Sequence, residues 1–159
     1  MPYLIDGNNF IGYLSPFELR DPRSRYSLIG KLLAFQQIKK TKIYLVFDGP
    51  PDPQITESNL PERKLTVLFP KLGQNADAVI KEIIAKQTDL RQFFVVSSDR
   101  EIKDFARHEG AKKMDCKDFH KQLKLALKEH KKIRAEEKNV SFPSPLEVHH
   151  WMDKFKRNK

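Results

Sequence analysis

The sequence has one cysteine and no long hydrophobic run. Cys116 alone cannot form an internal disulfide or supply a cysteine-rich zinc site. No apolar stretch approaches the ~20 residues that a membrane-spanning helix needs. The first residues have neither the basic segment nor the long apolar segment of a secretory signal. We therefore expect a cytoplasmic protein that does not interact with a membrane.

The motifs of several common enzyme classes are also missing. There is no glycine-rich phosphate loop, no Gly-x-Gly-x-x-Gly after the first apolar run and no Gly-x-Ser-x-Gly nucleophile motif. The five histidines lack the spacing of zinc ligands, so we interpret them as structural or surface residues. Cys116 has no motif partner and is not expected to be a nucleophile.

Positive charge is abundant and unevenly distributed. The 159 residues include 30 Lys and Arg against 21 Asp and Glu, a net charge of +9. Residues 121–159 hold 11 of the basic and 5 of the acidic side chains. An anionic partner is expected, together with a single domain over residues 1–130 and a basic helical extension over 131–159.

Apolar runs alternate with helix-patterned segments. The runs are nearly continuous, as in strands buried on both faces of a parallel sheet: residues 3–5, 43–47, 65–69 and 93–96. Helical periodicity covers residues 23–40, 76–86 and a third segment that starts at Ser98 and stops at Gly110. With a short strand at 111–114, this pattern predicts an α/β domain with about five mostly parallel strands and helices on both faces.

Two other segments have distinct compositions. Four prolines between Gly49 and Pro61 predict a loop. Residues 117–138 have a narrow apolar stripe and a lysine-rich back, which predicts a long helix. Residues 140–145 interrupt the pattern, and 146–155, with Trp151 and Phe155, predict one more amphipathic helix.

Aspartates stand where the predicted strands end. Asp6, Asp48 and Asp99 follow three of the runs, and Asp77 opens the helix after the remaining one. The ordinary interpretation is that these are turn and helix-capping residues. In a parallel sheet, however, all four lie along one edge, where crowded carboxylates repel each other unless a cation is present. Oxygen ligands suit Mg²⁺, and the edge therefore suggests a site where a metal meets a phosphodiester.

Polar residues beside these aspartates are candidates for substrate contacts. Gly7 permits a tight turn with close backbone approach, and the amide of Asn9 is placed to hold a carboxylate, a water or a phosphate. Ser98 offers a hydroxyl, although its expected role is the N-cap of the third helix. Arg100 is within reach of a phosphate or is simply a solvated surface residue.

Four segments together resemble the YacP-like branch of the NYN domain, within the PIN-like nuclease superfamily. In order and spacing they are YLIDGNNFIG (3–12), VFDG (46–49), ADAVI (76–80) and VSSDREI (96–102). The resemblance covers roughly residues 2–120. It implies a PIN-like three-layer α/β/α fold and a metal-dependent endoribonuclease that uses Mg²⁺ or Mn²⁺ to activate water.

The resemblance also assigns roles to residues. Asp6, Asp77 and Asp99 would be the catalytic, metal-binding carboxylates, Asp48 an accessory acidic metal ligand, and Asn9 the amide of the first motif. Many relatives carry two adjacent acids at the helix start, whereas Ala78 follows Asp77 here. The number of bound metal ions is therefore left open.

The lysine-rich helix has two interpretations. Lys124, Lys128 and Lys131 form a surface that could bind RNA phosphates, or the face serves only solubility. RNA is the expected partner, with ribosome association and oligomeric state left open. The alternatives are a non-catalytic RNA- or ribosome-binding module of the same fold, and a Mg²⁺-dependent phosphatase.

Overall fold

Five parallel strands form the centre of the molecule. The computed structural model describes residues 1–53, 55 and 64–138. The strands are β1 (Tyr3–Asp6), β2 (Ile43–Val46), β3 (Leu65–Leu68), β4 (Phe94–Val96) and β5 (Lys112–Met114). Their order in the sheet is β3-β2-β1-β4-β5, with every neighbouring pair parallel. The predicted five-stranded α/β fold is confirmed.

Helices cover both faces of this sheet. They are α1 (Gly7–Leu14), α2 (Pro22–Lys39), α3 (Ala76–Lys86), α4 (Arg100–Glu109) and α5 (Cys116–Lys138), with a short 3₁₀ helix at Pro16–Arg20. Because side chains alternate along a strand, Ile5 packs with α1, α2 and α5, whereas its neighbour Leu4 packs with α3 and α4. The two cores explain why the strands read as continuous apolar runs, and they confirm the three-layer arrangement.

Strands and long helices lie within about one residue of their predicted positions, with two differences. Helix α1 was not predicted, because Gly-Asn-Asn is typical of a turn. The chain instead enters a helix at Gly7, directly after β1. The third helix begins at Arg100, so Ser98 is not its N-cap; Asp99 is, accepting a hydrogen bond from the N–H of Glu101 at 2.9 Å. Gly110 ends this helix in the left-handed conformation, as expected.

The remaining expectations concern the C-terminal part and membranes. Helix α5 runs without a break through position 130, so the proposed boundary between domain and extension falls inside a helix. The predicted break at 140–145 and the helix at 146–155 lie outside the described residues, as does most of the loop before Pro61. Within the described part of the chain, no helix combines the length and apolar character needed to cross a bilayer.

Candidate active site

The order of the strands creates a crevice between β1 and β4. From β1 the chain moves outward to β2 and β3 on one side, then crosses over to β4 and β5 on the other. Ligands of open α/β sheets bind outside the carboxyl ends of the strands at such a switch point. Asp6 ends β1 there, and Ser97 directly follows β4 beside it. We call Asp6, Asp48, Asp77 and Asp99 the acidic edge.

Asp6 is the buried member of the acidic edge. Its exposed fraction is 7%, and its Oδ2 accepts a hydrogen bond from Ser97 Oγ at 3.2 Å. Burial raises the pKa of Asp6 to about 6; the hydrogen bonds from Ser97 and from the N–H of Asn9 oppose this shift, and the charges of Asp77 and Asp99 add to it. The site therefore holds a carboxylate whose charge is poorly stabilised by the protein itself.

Asp77 and Asp99 are brought to Asp6 by two different helices. Asp77 lies in the first turn of α3, after the N-cap Asn75, whose Oδ1 accepts from the N–H of Ala78. Burial, then the charges of Asp99 and Glu101, raises the pKa of Asp77. The N–H of Asp99 donates to Ser97 Oγ at 3.0 Å, so Ser97 connects Asp99 to Asp6. The charges of these three aspartates thus act on one another at one edge of the sheet.

Asp48 plays a more structural part than its neighbours. Its side chain is exposed, and Oδ1 accepts from the N–H of Ala76 at 3.3 Å, at the start of α3. Its N–H donates to Asn8 Oδ1 at 2.9 Å, and its carbonyl accepts from Arg25 at 3.0 Å. The Arg25 guanidinium also lies over the ring of Phe47, 5.3 Å from the centroid. The hydrogen bonds of Asp48 thus connect the end of β2 to three helices. Asp48 is also close enough to Asp77 for its charge to raise the pKa of that carboxyl.

Asn9 connects three segments around the edge. Its Oδ1 accepts a hydrogen bond from the N–H of Ser98 at 2.7 Å and one from the Cys116 thiol at 3.2 Å. The oxygen expected to contact substrate is therefore used inside the chain, holding the β4–α4 loop against the start of α5. Cys116 is fully buried, and burial raises the pKa of its thiol, in keeping with a structural role.

Gly7 lets α1 approach the sheet closely. A Cβ at this position would lie 2.7 Å from Phe47 Cδ1 and 2.9 Å from the carbonyl oxygen of Val46. The close approach predicted from the sequence is present, although in a helix rather than a turn. It brings Asn8 and Asn9 to the acidic edge.

The other predicted substrate contacts lie on the surface. Ser98 and Arg100 are exposed at the start of α4. Lys124, Lys128 and Lys131 are exposed on one face of α5, about 12 to 22 Å along the helix axis from Cys116. Lys31 of α2 extends this surface, since it and Lys124 both contribute to lowering the pKa of His120, after burial.

The donor chemistry of the acidic edge fits a hard divalent cation. Its side chains offer carboxylate and hydroxyl oxygens, which suit Mg²⁺ or Mn²⁺. Across residues 1–53, 55 and 64–138, no three Asp, Glu, His or Cys side chains stand together as a ready set of ligands. Mg²⁺ is commonly held by one or two carboxylates with waters and substrate phosphate, so the edge fits this kind of incomplete site.

Sequence reasoning overlooked Lys81, a cation close to these acids. Its Nζ lies 2.8 Å from Glu101 Oε1, and the charges of Asp77 and Asp99 act on it as well. A signal was available, because Asp77 and Lys81 are four residues apart and so share a helix face.

The comparisons with known proteins agree with this arrangement. The crystal structure of Rae1 (YacP) from Bacillus subtilis superimposes with a TM-score of 0.72 at 22% identity, over 99% of this chain and 95% of that one. Its W164L mutant gives 0.68 at 20% identity, over 94% and 89%. These similarities establish the fold. No curated protein matches the sequence closely enough to count as a relative.

The sequence profile of the YacP-like NYN domain matches residues 3–157. This match extends beyond residues 2–120, the part of the chain covered by the resemblance of the four motifs, and it includes the lysine-rich helix. The chain belongs to the YacP-like NYN domain family.

Proposed function

We propose that this protein is a metal-dependent endoribonuclease that hydrolyses RNA phosphodiester bonds at the acidic edge. The observation that carries the proposal is that the charges of Asp6, Asp77 and Asp99, which come from three elements at the switch point, act on one another. Such a concentration of carboxylates is costly without a cation, and it occurs here in a member of the YacP-like NYN family.

The chain fixes its own carboxylates before any ligand arrives. Ser97 and the N–H of Asn9 orient Asp6, and the N–H of Glu101 orients Asp99. A bound Mg²⁺ or Mn²⁺ would supply an activated water and offset charge on the phosphate oxygens. Near neutral pH Asp6 is mostly ionised, as a metal-binding carboxylate must be.

We propose RNA in the cytoplasm as the substrate, and the basic surface is the observation that favours RNA. The exposed lysines of α5 continue away from the edge for about 22 Å, longer than a small phosphorylated molecule needs. A polyanionic strand could contact several of them while one phosphate lies at the acidic edge. This extended basic face favours a nuclease over a phosphatase acting on small molecules.

A non-catalytic RNA-binding module is the second candidate. The observation in its favour is that the described residues hold no group of three ready metal ligands. In that case RNA would bind through the lysines of α5, and the acidic edge would contribute nothing to RNA binding.

Cleavage of labelled single-stranded RNA separates the two candidates. We expect cleavage with Mn²⁺ or Mg²⁺, none with EDTA, and a loss of at least about 100-fold in Asp6→Asn and Asp99→Asn. Asp104→Asn is the matched control, because Asp104 is an exposed acid on α4 whose nearest ion-pair partner, Arg107, is 3.9 Å away. It should cleave like the wild type.

The other outcomes are equally informative. Cleavage that persists in EDTA, or in both aspartate variants, would contradict the carboxylate mechanism. RNA binding without cleavage under every metal condition would establish the module in place of the nuclease.

A further inference from the structure

Lys81 is a cation set among the acids of the site. It lies one helical turn after Asp77 on α3, and its Nζ forms a 2.8 Å ion pair with Glu101 at the start of α4. The charges of Asp77 and Asp99 both act on this ammonium. Lys81 therefore carries a positive charge close to the carboxylates of the acidic edge.

Two other cations near the edge, Arg25 and Lys103, are differently engaged. Arg25 donates to the carbonyl of Asp48 and lies over the rings of Phe47 and Phe69. Lys103, on the same helix as Glu101, pairs with Asp115 at 2.6 Å beyond the helix. Arg100 is exposed at the start of α4. Lys81, by contrast, is paired with Glu101, and the charges of Asp77 and Asp99 both act on its ammonium.

An approaching phosphodiester faces repulsion at this edge. Each phosphate carries a negative charge, and Asp6, Asp77, Asp99 and Glu101 contribute four more. A lysine ammonium is a compact point charge with three donors, so it can keep one contact with a carboxylate and donate to a phosphate oxygen as well. Resting on the proposed function, we infer that Lys81 binds the phosphate at the cleavage site through a non-bridging oxygen.

The fold holds Lys81 ready for this role. Its side chain is only 31% exposed, and its Nζ lies 5.5 Å from the centroid of the Phe105 ring. The ring and Glu101 restrict the long side chain, so less rotamer freedom is lost when a phosphate binds. Three donors on one restrained ammonium suit a single tetrahedral oxyanion.

The competing explanation is a structural ion pair between α3 and α4. Exposed pairs of this kind contribute little to stability. In that case, replacing either partner, Lys81 or Glu101, should have the same small effect on unfolding and none on RNA. Phosphate binding predicts instead that loss of the lysine is far more harmful than loss of the glutamate.

Four variants distinguish these explanations. They are Lys81→Gln, Lys81→Arg, Glu101→Gln and the control Lys86→Gln, an exposed lysine in the last turn of α3 at the far end from the site. We would measure single-turnover cleavage at saturating RNA, RNA affinity in EDTA at several salt concentrations, and the unfolding midpoint of each variant.

We expect Lys81→Gln to cleave about 10- to 100-fold more slowly, since one charged donor to the reacting group is lost. The slope of its RNA affinity against salt should fall by about 0.7, equivalent to one phosphate contact. Lys81→Arg should recover most of both. Glu101→Gln should lose less than Lys81→Gln, and Lys86→Gln should match the wild type, with similar unfolding midpoints throughout.

Equal cleavage and equal salt slopes in Lys81→Gln and the wild type would overturn the assignment. So would equal losses in Lys81→Gln and Glu101→Gln that follow a lowered unfolding midpoint. If the wild type does not cleave, the proposed nuclease function fails separately. The salt slopes alone then decide on Lys81, with a lower slope supporting phosphate binding and an unchanged slope refuting it.

Discussion

Replacing Asp6 by Asn should stabilise the protein at neutral pH. Asp6 is 7% exposed, and its pKa is about 6 in the folded state against an ordinary 3.8. A shift of about two pKa units corresponds to about 3 kcal/mol. Asn keeps an oxygen for the Ser97 hydroxyl and removes the repulsion from Asp77 and Asp99.

The size of the effect depends on pH, and it grows as the pH rises. Below the unfolded pKa of 3.8, Asp6 is protonated in both states and costs nothing. As the pH rises through about 6, the folded state must give up a proton that it holds more tightly than the unfolded chain does. The wild type therefore loses stability relative to Asp6→Asn between about pH 4 and pH 7, by up to about 3 kcal/mol.

Urea unfolding from pH 4 to pH 8, with EDTA present, measures this difference directly. The free energy of unfolding of Asp6→Asn should exceed that of the wild type by about 2 to 3 kcal/mol at pH 7.5, and the gap should close towards pH 4. The surface control Asp104→Asn should stay within about 0.5 kcal/mol at every pH. A gap that is constant with pH, or a less stable Asp6→Asn at pH 7.5, would refute the reasoning.

Three further predictions concern packing, positioning and binding. Gly7→Ala should destabilise by about 1 to 3 kcal/mol in urea unfolding, because its Cβ would meet Phe47 and the backbone; Gly30→Ala, with no atom within 4 Å, should be neutral or stabilising. Asn9→Ala should lower the free energy of unfolding by about 1 to 3 kcal/mol and slow cleavage, yet leave RNA affinity in EDTA unchanged; a lost affinity without destabilisation would mean direct substrate contact. Replacing three α5 lysines by Gln should lower the salt slope of RNA affinity by about 2, whereas replacing three exposed lysines outside α2 and α5 should not. The first set is Lys124, Lys128 and Lys131, and the control set is Lys42, Lys86 and Lys113.

The strands were predictable because each is buried on both faces. Tyr3 and Leu4 point to opposite cores, so nearly every position of such a strand must be apolar. Helix α1 was not predictable in this way. It opens with Gly7, Asn8 and Asn9, which have low helix propensity, and it is stabilised by burial of Phe10 and Ile11 against the sheet.

The start of α4 was decided by a contact across the fold. Ser98 and Asp99 are both good N-cap residues. The N–H of Ser98 is bound by Asn9, 89 positions earlier in the chain, and this leaves Asp99 to cap the helix. Ser97 bonds similarly with Asp6, 91 positions away. The rule for parallel sheets predicted which aspartates share an edge, but the groups that hold them in place depend on contacts that no local pattern records.

The cost of Asp6 bears on the choice between nuclease and binding module. A protein that only bound RNA through the lysines of α5 would gain stability from Asn at this position, since the hydrogen bond with Ser97 survives and the repulsion disappears. With Asp, the folded chain keeps a buried negative charge beside two others and stabilises it only in part. The missing stabilisation is what a cation at the acidic edge would provide, and a cation there would also draw a phosphate that the acids alone repel. The basic helix alone would be sufficient for a protein that only binds RNA, whereas the uncompensated charge of Asp6 favours a ligand at the edge itself.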